Sequence, residues 1–321
     1  MFSYRHAFHA GNHADVLKHL TLVATLRHLM QKSGALTLVD THAGAGIYRL
    51  DEQAAQTSGE ALAGIGRLQA ALAPGLNKNQ APAPVNQAPS AINHEASILQ
   101  DYLQLIASFN RGAPPGGAWR VYPGSPLLMH ALMTEPGRAA VHDRLRLFEL
   151  HPTDWQALQA HVAQLGAGRQ VSMAREDGFA ALKALLPPPV APGGSRRALV
   201  LIDPSYEIKS DYAKVAAAVQ DGLKRFVTGV YLVWYPIIAR PEAHGLPRRL
   251  KTLAQQAGRG WLHATLNIGV PPGGAPGLGA SGIFVINPPH TLAPALREAL
   301  PAVVQALGRG RGQGYTVDAG G

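Results

Sequence analysis

The sequence lacks cysteine and long apolar runs, and only 6% of its residues are aromatic. Without a cysteine among its 321 residues, neither a disulfide framework nor a cysteine-ligated zinc site can form. No uninterrupted apolar segment approaches the roughly 18 residues expected of a membrane-spanning helix. Arg5, His6 and His9 interrupt the N-terminal segment, so no secretory signal is expected there. We therefore expect a cytoplasmic protein with no membrane partner.

Acidic residues are scarce relative to basic ones. The chain has 29 Lys and Arg against 20 Asp and Glu, which gives a net charge of +9 and an isoelectric point of about 9.9. Such an excess indicates an anionic partner, most commonly the phosphate backbone of a nucleic acid. A general basic bias of the proteome is the competing explanation. The basic residues are dispersed, which suits a broad binding face better than a basic tail.

Histidines are concentrated near the N-terminus, where metal ligands would be one explanation for them. His9 and His13 have the i, i+4 spacing of ligands on a helix. No HExxH signature or neighbouring carboxylate pair completes such a site, so we predict no metal.

Apolar segments alternate with amphipathic helical segments through most of the chain. This alternation predicts a doubly wound α/β fold. The last two strands lack a helix between them and are expected to be antiparallel. That layout is typical of a class I methyltransferase, with a Rossmann-like seven-stranded sheet whose last strand is antiparallel. The predicted strands are 35–40, 144–150, 169–177, 197–203, 229–235, 262–268 and 282–288.

Composition divides the chain into a core and an inserted segment. Residues 1–49 and 117–308 carry the predicted core with an N-terminal arm. Residues 50–116 are predicted to form a small helical insertion, with a flexible proline-rich loop at 74–92. The glycine-rich residues 309–321 are expected to be a flexible tail.

Four predicted strands end at carboxylates. In open α/β sheets, ligands bind beyond the carboxyl ends of the strands, so Asp40, Glu149, Asp177 and Asp203 should face one cleft. Glu149 could accept ribose hydroxyls, and Asp177 could meet an adenine amino group. Gly44 belongs to a tight loop after the first strand, where the backbone can approach a ligand closely.

The tetrad "DPSY" at 203–206 has a specific chemical logic. The lone pair of the adenine N6 nitrogen is delocalised into the ring, so this nitrogen is a poor nucleophile. Asp203 and the carbonyl of Pro204 can accept its two hydrogens and aim the lone pair at an electrophilic methyl group. Asp203 could also accept the proton that is lost. Tyr206 is expected to stack on a base that has left its helix or loop.

Several motifs together resemble one known family. "SYRHAFHAGNHADVLKH", "DTHAGAGIY", "YPGSPLL", "ELHPTDW", "DPSYEIKSDY", "WYP" and "ASGIFVINPP" occur in the order seen in the RlmJ family of bacterial 23S ribosomal RNA (adenine-2030-N6) methyltransferases. The resemblance implies S-adenosylmethionine as the cofactor and 23S ribosomal RNA, protein-free or in early assembly, as the partner. It implies that Tyr4, with Arg5 and His6 beside it, contacts the RNA. The implied cofactor-binding residues are Lys18, His19, His42, Ser125, Glu149, Asp177, Gly178 and Asp203; Gly44, from the glycine-loop pattern, is expected to bind the cofactor with them.

The sequence departs from that family in two places. The 74–92 segment looks longer than the family needs, and Ser205 stands where the family usually has proline. A DNA adenine-N6 methyltransferase and a non-catalytic RNA-binding protein with a vestigial methyltransferase core are the alternatives. Since no long exposed apolar stripe is evident, we expect a monomer.

Overall fold

The computed structural model describes residues 5–76, 97–114, 117–190, 196–270 and 277–321. Its strands are β1 (Thr37–Asp40), β2 (Ile47–Arg49), β3 (Val121–Pro123), β4 (Arg144–Phe148), β5 (Val171–Ala174), β6 (Ala198–Ile202), β7 (Val230–Pro236), β8 (Trp261–Asn267), β9 (Ala280–Ile286) and β10 (Gly314–Gly320). Its helices are α1 (His13–Leu29), α2 (Gln53–Ser58), α3 (Arg67–Leu76), α4 (Ile98–Ser108), α5 (Ser125–Met133), α6 (Pro152–Gln164), α7 (Gly178–Leu185), α8 (Ser210–Arg225), α9 (Pro241–Gln256) and α10 (Leu292–Leu307).

Eight of the strands form one sheet, and β2 and β3 form a separate antiparallel ribbon. The order across the sheet is β5-β4-β1-β6-β7-β9-β8-β10. The pairs from β5 to β7 are parallel, whereas β9, β8 and β10 pair antiparallel. This arrangement confirms the predicted class I methyltransferase fold.

The central strands are buried on both faces. Leu199 and Leu201 of β6 pack into the hydrophobic core that includes α1, α5 and α10, while Val200 and Ile202 pack into the core that includes α8 and α9. Each such side chain contributes roughly 1.5–3 kcal/mol when fully buried. Because no face of the sheet's centre is exposed, ligands have access only at the ends of its strands.

The C-terminal segment is a strand, so the prediction of a flexible tail at 309–321 was wrong. Every residue of β10 has a partner in β8, from Gly314 opposite Asn267 to Gly320 opposite Trp261. An edge strand offers unpaired N–H and C=O groups that a further strand can satisfy. The glycine content concealed the alternation in "YTVDA", and this strand is why the sheet has eight strands where seven were predicted.

The described part of the predicted insertion is mainly helical, and it shares the core of the sheet domain. Tyr102 and Ile106 of α4 belong to the same buried cluster as Leu17 and Leu20 of α1. Between α2 and α3 the backbone takes a π-helical turn at Leu62–Gly66. Residues 77–92 of the predicted proline-rich loop lie outside the described residues, and its first three residues end α3.

Across the described ranges, we find no helix that is both long and apolar enough to cross a membrane.

Candidate active site

A cleft of about 490 Å³ opens at the carboxyl ends of the parallel strands. Its walls come from the loops after β1, β4, β5 and β6, from the last residues of β7 and from the first turns of α1. Volumes of this size are usual for sites that hold a small organic ligand. All four predicted carboxylate positions lie in this region, and three of them, Glu149, Asp177 and Asp203, line the cleft directly.

The glycine loop after β1 brings the backbone to the cleft wall. Gly44 has a φ of +61°, and a Cβ there would lie 2.2 Å from the Tyr48 hydroxyl oxygen. Both the left-handed backbone and the lack of space require glycine. The Gly44 N–H donates to Glu149 Oε2 at 2.8 Å, so the loop and the carboxylate at the end of β4 fix each other.

Glu149 and Asp40 accept hydrogen bonds from neutral donors. Glu149 Oε1 accepts from the His151 N–H at 2.7 Å. Asp40 is fully buried behind the cleft wall, and its Oδ2 accepts from the Ser125 hydroxyl at 2.6 Å. Burial raises the pKa of Asp40 to about 6 and raises that of Glu149, because the hydrogen bonds only partly offset the loss of solvent.

The loop after β5 forms the next part of the wall. Asp177 is the N-cap of α7 and accepts from the Phe179 N–H at 2.8 Å. Gly178 packs against β1, since a Cβ there would lie 2.1 Å from the Thr41 carbonyl oxygen. Phe179 lines the cleft with its ring 4.9 Å from that of His42. Burial lowers the pKa of His42 to about 4, so this imidazole is neutral at physiological pH.

A buried ion pair holds the carboxylate at the end of β6. Lys18 Nζ lies 2.5 Å from Asp203 Oδ2 and 2.8 Å from Asp15 Oδ1. Burial alone would lower the pKa of Lys18, but these two carboxylates raise it above its ordinary value. The ammonium is therefore charged, and it ties the start of α1 to Asp203.

Asp15 connects this pair to the N-terminal turn. Its Oδ2 lies 3.0 Å from His6 Nε2 and accepts from the Gly11 N–H at 2.9 Å. Burial alone would raise the pKa of Asp15, but His6 and Lys18 hold it well below the ordinary value. Asn12, the N-cap of α1, also binds Glu60 through its side-chain amide at 2.9 Å. The insertion thus contacts the turn that carries the ion pair.

The structure places Pro204 in the cleft wall but withdraws Tyr206 from it. Tyr206 is only 2% exposed, and its hydroxyl donates to the Trp234 carbonyl oxygen at 2.6 Å. Its ring packs 4.6 Å from that of Tyr212. The predicted stacking of a base on Tyr206 is therefore not available in this structure, because both its hydroxyl and its ring are used in packing.

The remaining predicted residues divide between the cleft and the N-terminal arm. His19 lines the cleft and forms a 2.7 Å hydrogen bond with the Tyr122 hydroxyl, and burial lowers its pKa to about 3. His6 also lines the cleft, and Arg5 is exposed. Tyr4 lies outside the described residues.

Sequence reasoning missed several cleft residues. Asp15 could have been found from its i, i+3 spacing to Lys18, which favours an ion pair on a helix. Trp234 stands in the quoted motif "WYP", and Phe179 directly follows the Asp177–Gly178 pair. Glu60 gave no usable signal, because its contacts to residues 9 and 12 are long-range.

The described residues contain no cluster of metal ligands. Within the part of the chain that the structure describes, no three His, Cys, Asp or Glu side chains are grouped to hold a metal ion. Two of the N-terminal histidines instead pair with carboxylates, His6 with Asp15 and His9 with Glu60, each at 3.0 Å.

The fold and the carboxylate-lined cleft define a class I methyltransferase. A family model described as "Ribosomal RNA large subunit methyltransferase D, RlmJ" matches residues 33–318. The chain belongs to this family.

Relatives agree with that assignment over nearly the whole length. The "Ribosomal RNA large subunit methyltransferase J" of Escherichia coli K12 is 38% identical over 301 residues, which cover 94% of this chain and 92% of the relative. The protein of the same description from Haemophilus influenzae is 38% identical over 307 residues, covering 96% and 94%. A crystal structure of protein LPL1258 from Legionella pneumophila superposes with a TM-score of 0.74 at 28% identity, covering 97% of this chain and 98% of that one.

Proposed function

We propose that this protein transfers a methyl group from S-adenosylmethionine to N6 of an adenine in 23S ribosomal RNA. The observation that carries the proposal is Asp203, a cleft carboxylate held by the buried Lys18 ammonium and followed by Pro204 in the cleft wall. The descriptions of the two bacterial relatives support a large-subunit ribosomal RNA substrate.

The residues around the glycine loop fit the cofactor. Gly44 brings the backbone of its loop to the cleft wall, and Glu149, which accepts from its N–H, presents a carboxylate suited to ribose hydroxyls. Asp177 and Phe179 would receive the adenine, and Ser125 and His42, which also line the cleft, would complete the cofactor site. When bound, S-adenosylmethionine supplies an electrophilic methyl group on a positively charged sulfur.

Asp203 and Pro204 orient the nucleophile. The Asp203 carboxylate and the Pro204 carbonyl accept the two N6 hydrogens, which directs the nitrogen lone pair toward the methyl group. Most of the acceleration comes from this alignment and from dipoles fixed in advance. The proton that N6 loses passes to Asp203 or through it to solvent.

Lys18 limits how Asp203 can move. The ammonium holds one Asp203 oxygen at 2.5 Å. The other oxygen is thereby free to accept from the target adenine. Charge-assisted hydrogen bonds of this kind are shorter and stronger than neutral ones. The contact from Asp15 to His6 extends the same restraint into the N-terminal arm.

The N-terminal arm is proposed to contact the RNA. Tyr4, Arg5 and His6 precede the turn that closes one side of the cleft, and the net charge of +9 favours a phosphate backbone. The target base must leave its helix or loop to reach Asp203. We propose that the protein acts in the cytoplasm as a monomer, on RNA that is protein-free or in early assembly.

Labelled S-adenosylmethionine distinguishes this proposal from its alternatives. Incubation with protein-free 23S RNA should label the RNA, and digestion should recover the label as N6-methyladenine. Label on DNA in place of RNA would indicate a DNA adenine methyltransferase. Cofactor binding without transfer to any RNA would indicate a non-catalytic RNA-binding protein. A control RNA with guanine in place of the mapped adenine should remain unlabelled.

A further inference from the structure

Two arginines, Arg309 and Arg311, lie in the turn that leads from α10 into β10. They alternate with glycines in the sequence "GRGRG", where Gly310 and Gly312 have φ values of +112° and +84°. Such positive φ values favour glycine, but the backbone of the turn does not require arginine between the glycines. The segment also lies outside the family motifs of this sequence, the last of which ends at residue 289. The two arginines therefore need an explanation of their own.

Backbone hydrogen bonds fix this turn against the loop that follows β8. The Arg309 N–H donates to the Ile268 carbonyl oxygen at 2.6 Å, and the Arg311 carbonyl oxygen accepts from the Val270 N–H at 3.3 Å. Both arginines are thus held through their main chain. Their side chains are left for other contacts.

The turn lies at the edge of the sheet where the cleft opens. β10 starts opposite Asn267, the last residue of β8, and Asn267 also lies opposite Ala280 at the start of β9. Because β9 is antiparallel to β7, its start lies at the carboxyl end of β7, which borders the cleft. The Ile268 N–H donates to the Gly279 carbonyl oxygen at 2.9 Å, and the neighbouring Leu278 lines the cleft. The arginine turn is therefore a direct neighbour of the cleft wall.

The two guanidinium groups carry uncompensated charge. Arg311 is exposed and Arg309 is half-buried, and neither side chain has a carboxylate partner among the described residues. Arg49 and Arg120, on the ribbon of β2 and β3 and just before it, instead share Asp51 at 2.8 and 2.9 Å. An arginine without such a partner can offer all of its N–H donors to an anion.

The charge of Arg309 reaches the N-terminal side of the cleft. Burial is the main reason that the pKa of His13, the first residue of α1, falls to about 4. The charge of Glu60 opposes this fall, and the charge of Arg309 adds to it. The Arg309 guanidinium therefore lies close to the first turn of α1, next to the arm that is proposed to contact RNA.

We propose that Arg309 and Arg311 bind phosphates of the RNA strand that leads away from the target adenine. The inference rests on the proposed function and extends the RNA-binding surface from the N-terminal arm to the C-terminal turn. A base that leaves its stack brings its flanking phosphates to the mouth of the cleft. Arginine matches phosphate oxygens with its planar set of donors, and such contacts add affinity and fix register without reading the bases. β10, by holding the turn, then has a role in RNA binding.

Binding of 23S RNA at several salt concentrations tests the two arginines. Each phosphate contact contributes about 0.7–0.9 to the slope of log Kd against log salt concentration, so Arg309→Gln/Arg311→Gln should lower that slope by about 1.5. At about 0.1 M salt the Kd of this variant for the RNA should rise about ten- to fiftyfold. Neither arginine is among the described residues that line the cleft. The Kd for S-adenosylmethionine and kcat at saturating RNA should therefore stay within about twofold of wild type.

Further variants separate a local contact from a general loss of charge. Arg169→Gln/Arg196→Gln removes the same charge from exposed arginines at the opposite edge of the sheet, before β5 and β6, and should leave the slope unchanged. Arg309→Lys/Arg311→Lys keeps both charges and should retain most of the slope. Melting temperatures should agree among these variants, since β10 pairs with β8 through its backbone.

Arg311→Gln alone changes only an exposed side chain, so its result does not depend on the folding of the double variant. It should lower the slope by about 0.7. An RNA Kd unchanged in both glutamine variants of the turn would overturn the inference and leave the proposed function standing. An equal rise in Arg169→Gln/Arg196→Gln would do the same, because net charge would then explain the effect. A wild type that transfers no label to RNA would overturn both.

Discussion

The two ends of the cleft hold their carboxylates in different ways. At the end formed by β1, β4 and β5, Asp40, Glu149 and Asp177 accept from backbone N–H groups or a hydroxyl. At the end formed by β6 and α1, Asp203 is held by the buried Lys18 ammonium. A hydrogen bond from a neutral N–H or hydroxyl group can be exchanged for one from a ligand hydroxyl at little cost in free energy. The buried ion pair with Lys18 instead fixes one Asp203 oxygen in place.

The pKa shifts follow the same division. Burial raises the pKa of Asp40 and Glu149, whose hydrogen-bond donors among the described residues are N–H groups and a hydroxyl. Burial alone would raise the pKa of Asp15, but His6 and Lys18 hold it low. The first end is thus suited to binding, and the second to orienting a reacting group.

The largest test of this comparison is loss of the carboxylate itself. Asp203→Ala should lower kcat by about a thousandfold or more, because alignment and proton acceptance are both lost. The protein should still fold, since Asp15 remains 2.8 Å from Lys18. Asp177→Ala is the matched change at the other end and should raise the cofactor Kd with little effect on kcat. Equal losses of kcat in the two variants would remove the distinction between the ends.

Loss of the ammonium tests the ion pair as a structural element. Lys18→Met leaves Asp15 buried beside His6 alone, and should lower the free energy of unfolding by about 3–5 kcal/mol. Lys214→Met is the matched control, because Lys214 also pairs with an aspartate at i−3 but is half exposed. Its effect should stay within about 1 kcal/mol. Urea unfolding measures both, and similar values would show that burial does not strengthen the Lys18 pair.

The buried Asp40 carboxyl, at the binding end of the cleft, should make the stability of the protein depend on pH. Its pKa in the folded protein, about 6, exceeds the ordinary 3.8, so the folded state retains a proton that the unfolded state has lost between these values. Stability should therefore fall as pH rises through this window, by about 3 kcal/mol in all. Asp40→Asn lacks that loss, so its stability relative to wild type should increase from pH 4 to pH 7. Parallel unfolding curves for the two proteins across this range would contradict the assignment.

The sequence predicted the sheet and the carboxylates well because both depend on local patterns. Apolar runs identified seven strands of the sheet, and a carboxylate marked the carboxyl end of four of them, as for Glu149 and Asp203. The eighth strand was missed because glycines conceal the alternation in residues 314–320, and its pairing with the open edge of β8 is a long-range contact.

The orientation of side chains within the cleft was harder to predict. Tyr206 was expected to face a base because it follows Asp203 and Pro204, yet its positive φ turns the ring into the core. Trp234 lies 31 positions from Asp203 in the sequence and becomes its neighbour only through the β6–β7 register. Contacts of this kind follow from tertiary packing and carry no signal within a single motif.

The smallest effect is expected at Ser205, where the orienting end departs from the family pattern. Among the described residues, the Ser205 N–H donates to no backbone carbonyl, so a proline there removes no such hydrogen bond. Ser205→Pro should restrict Pro204 to extended ψ values and hold its carbonyl more firmly. The gain is at most about 1 kcal/mol, so kcat should be equal to wild type or up to about fivefold higher. Ser205→Ala, which removes only the hydroxyl, should match wild type. A large fall in either variant would assign the exposed serine a direct role at the cleft, and the fixed position of Asp203 would then be insufficient to orient the amine.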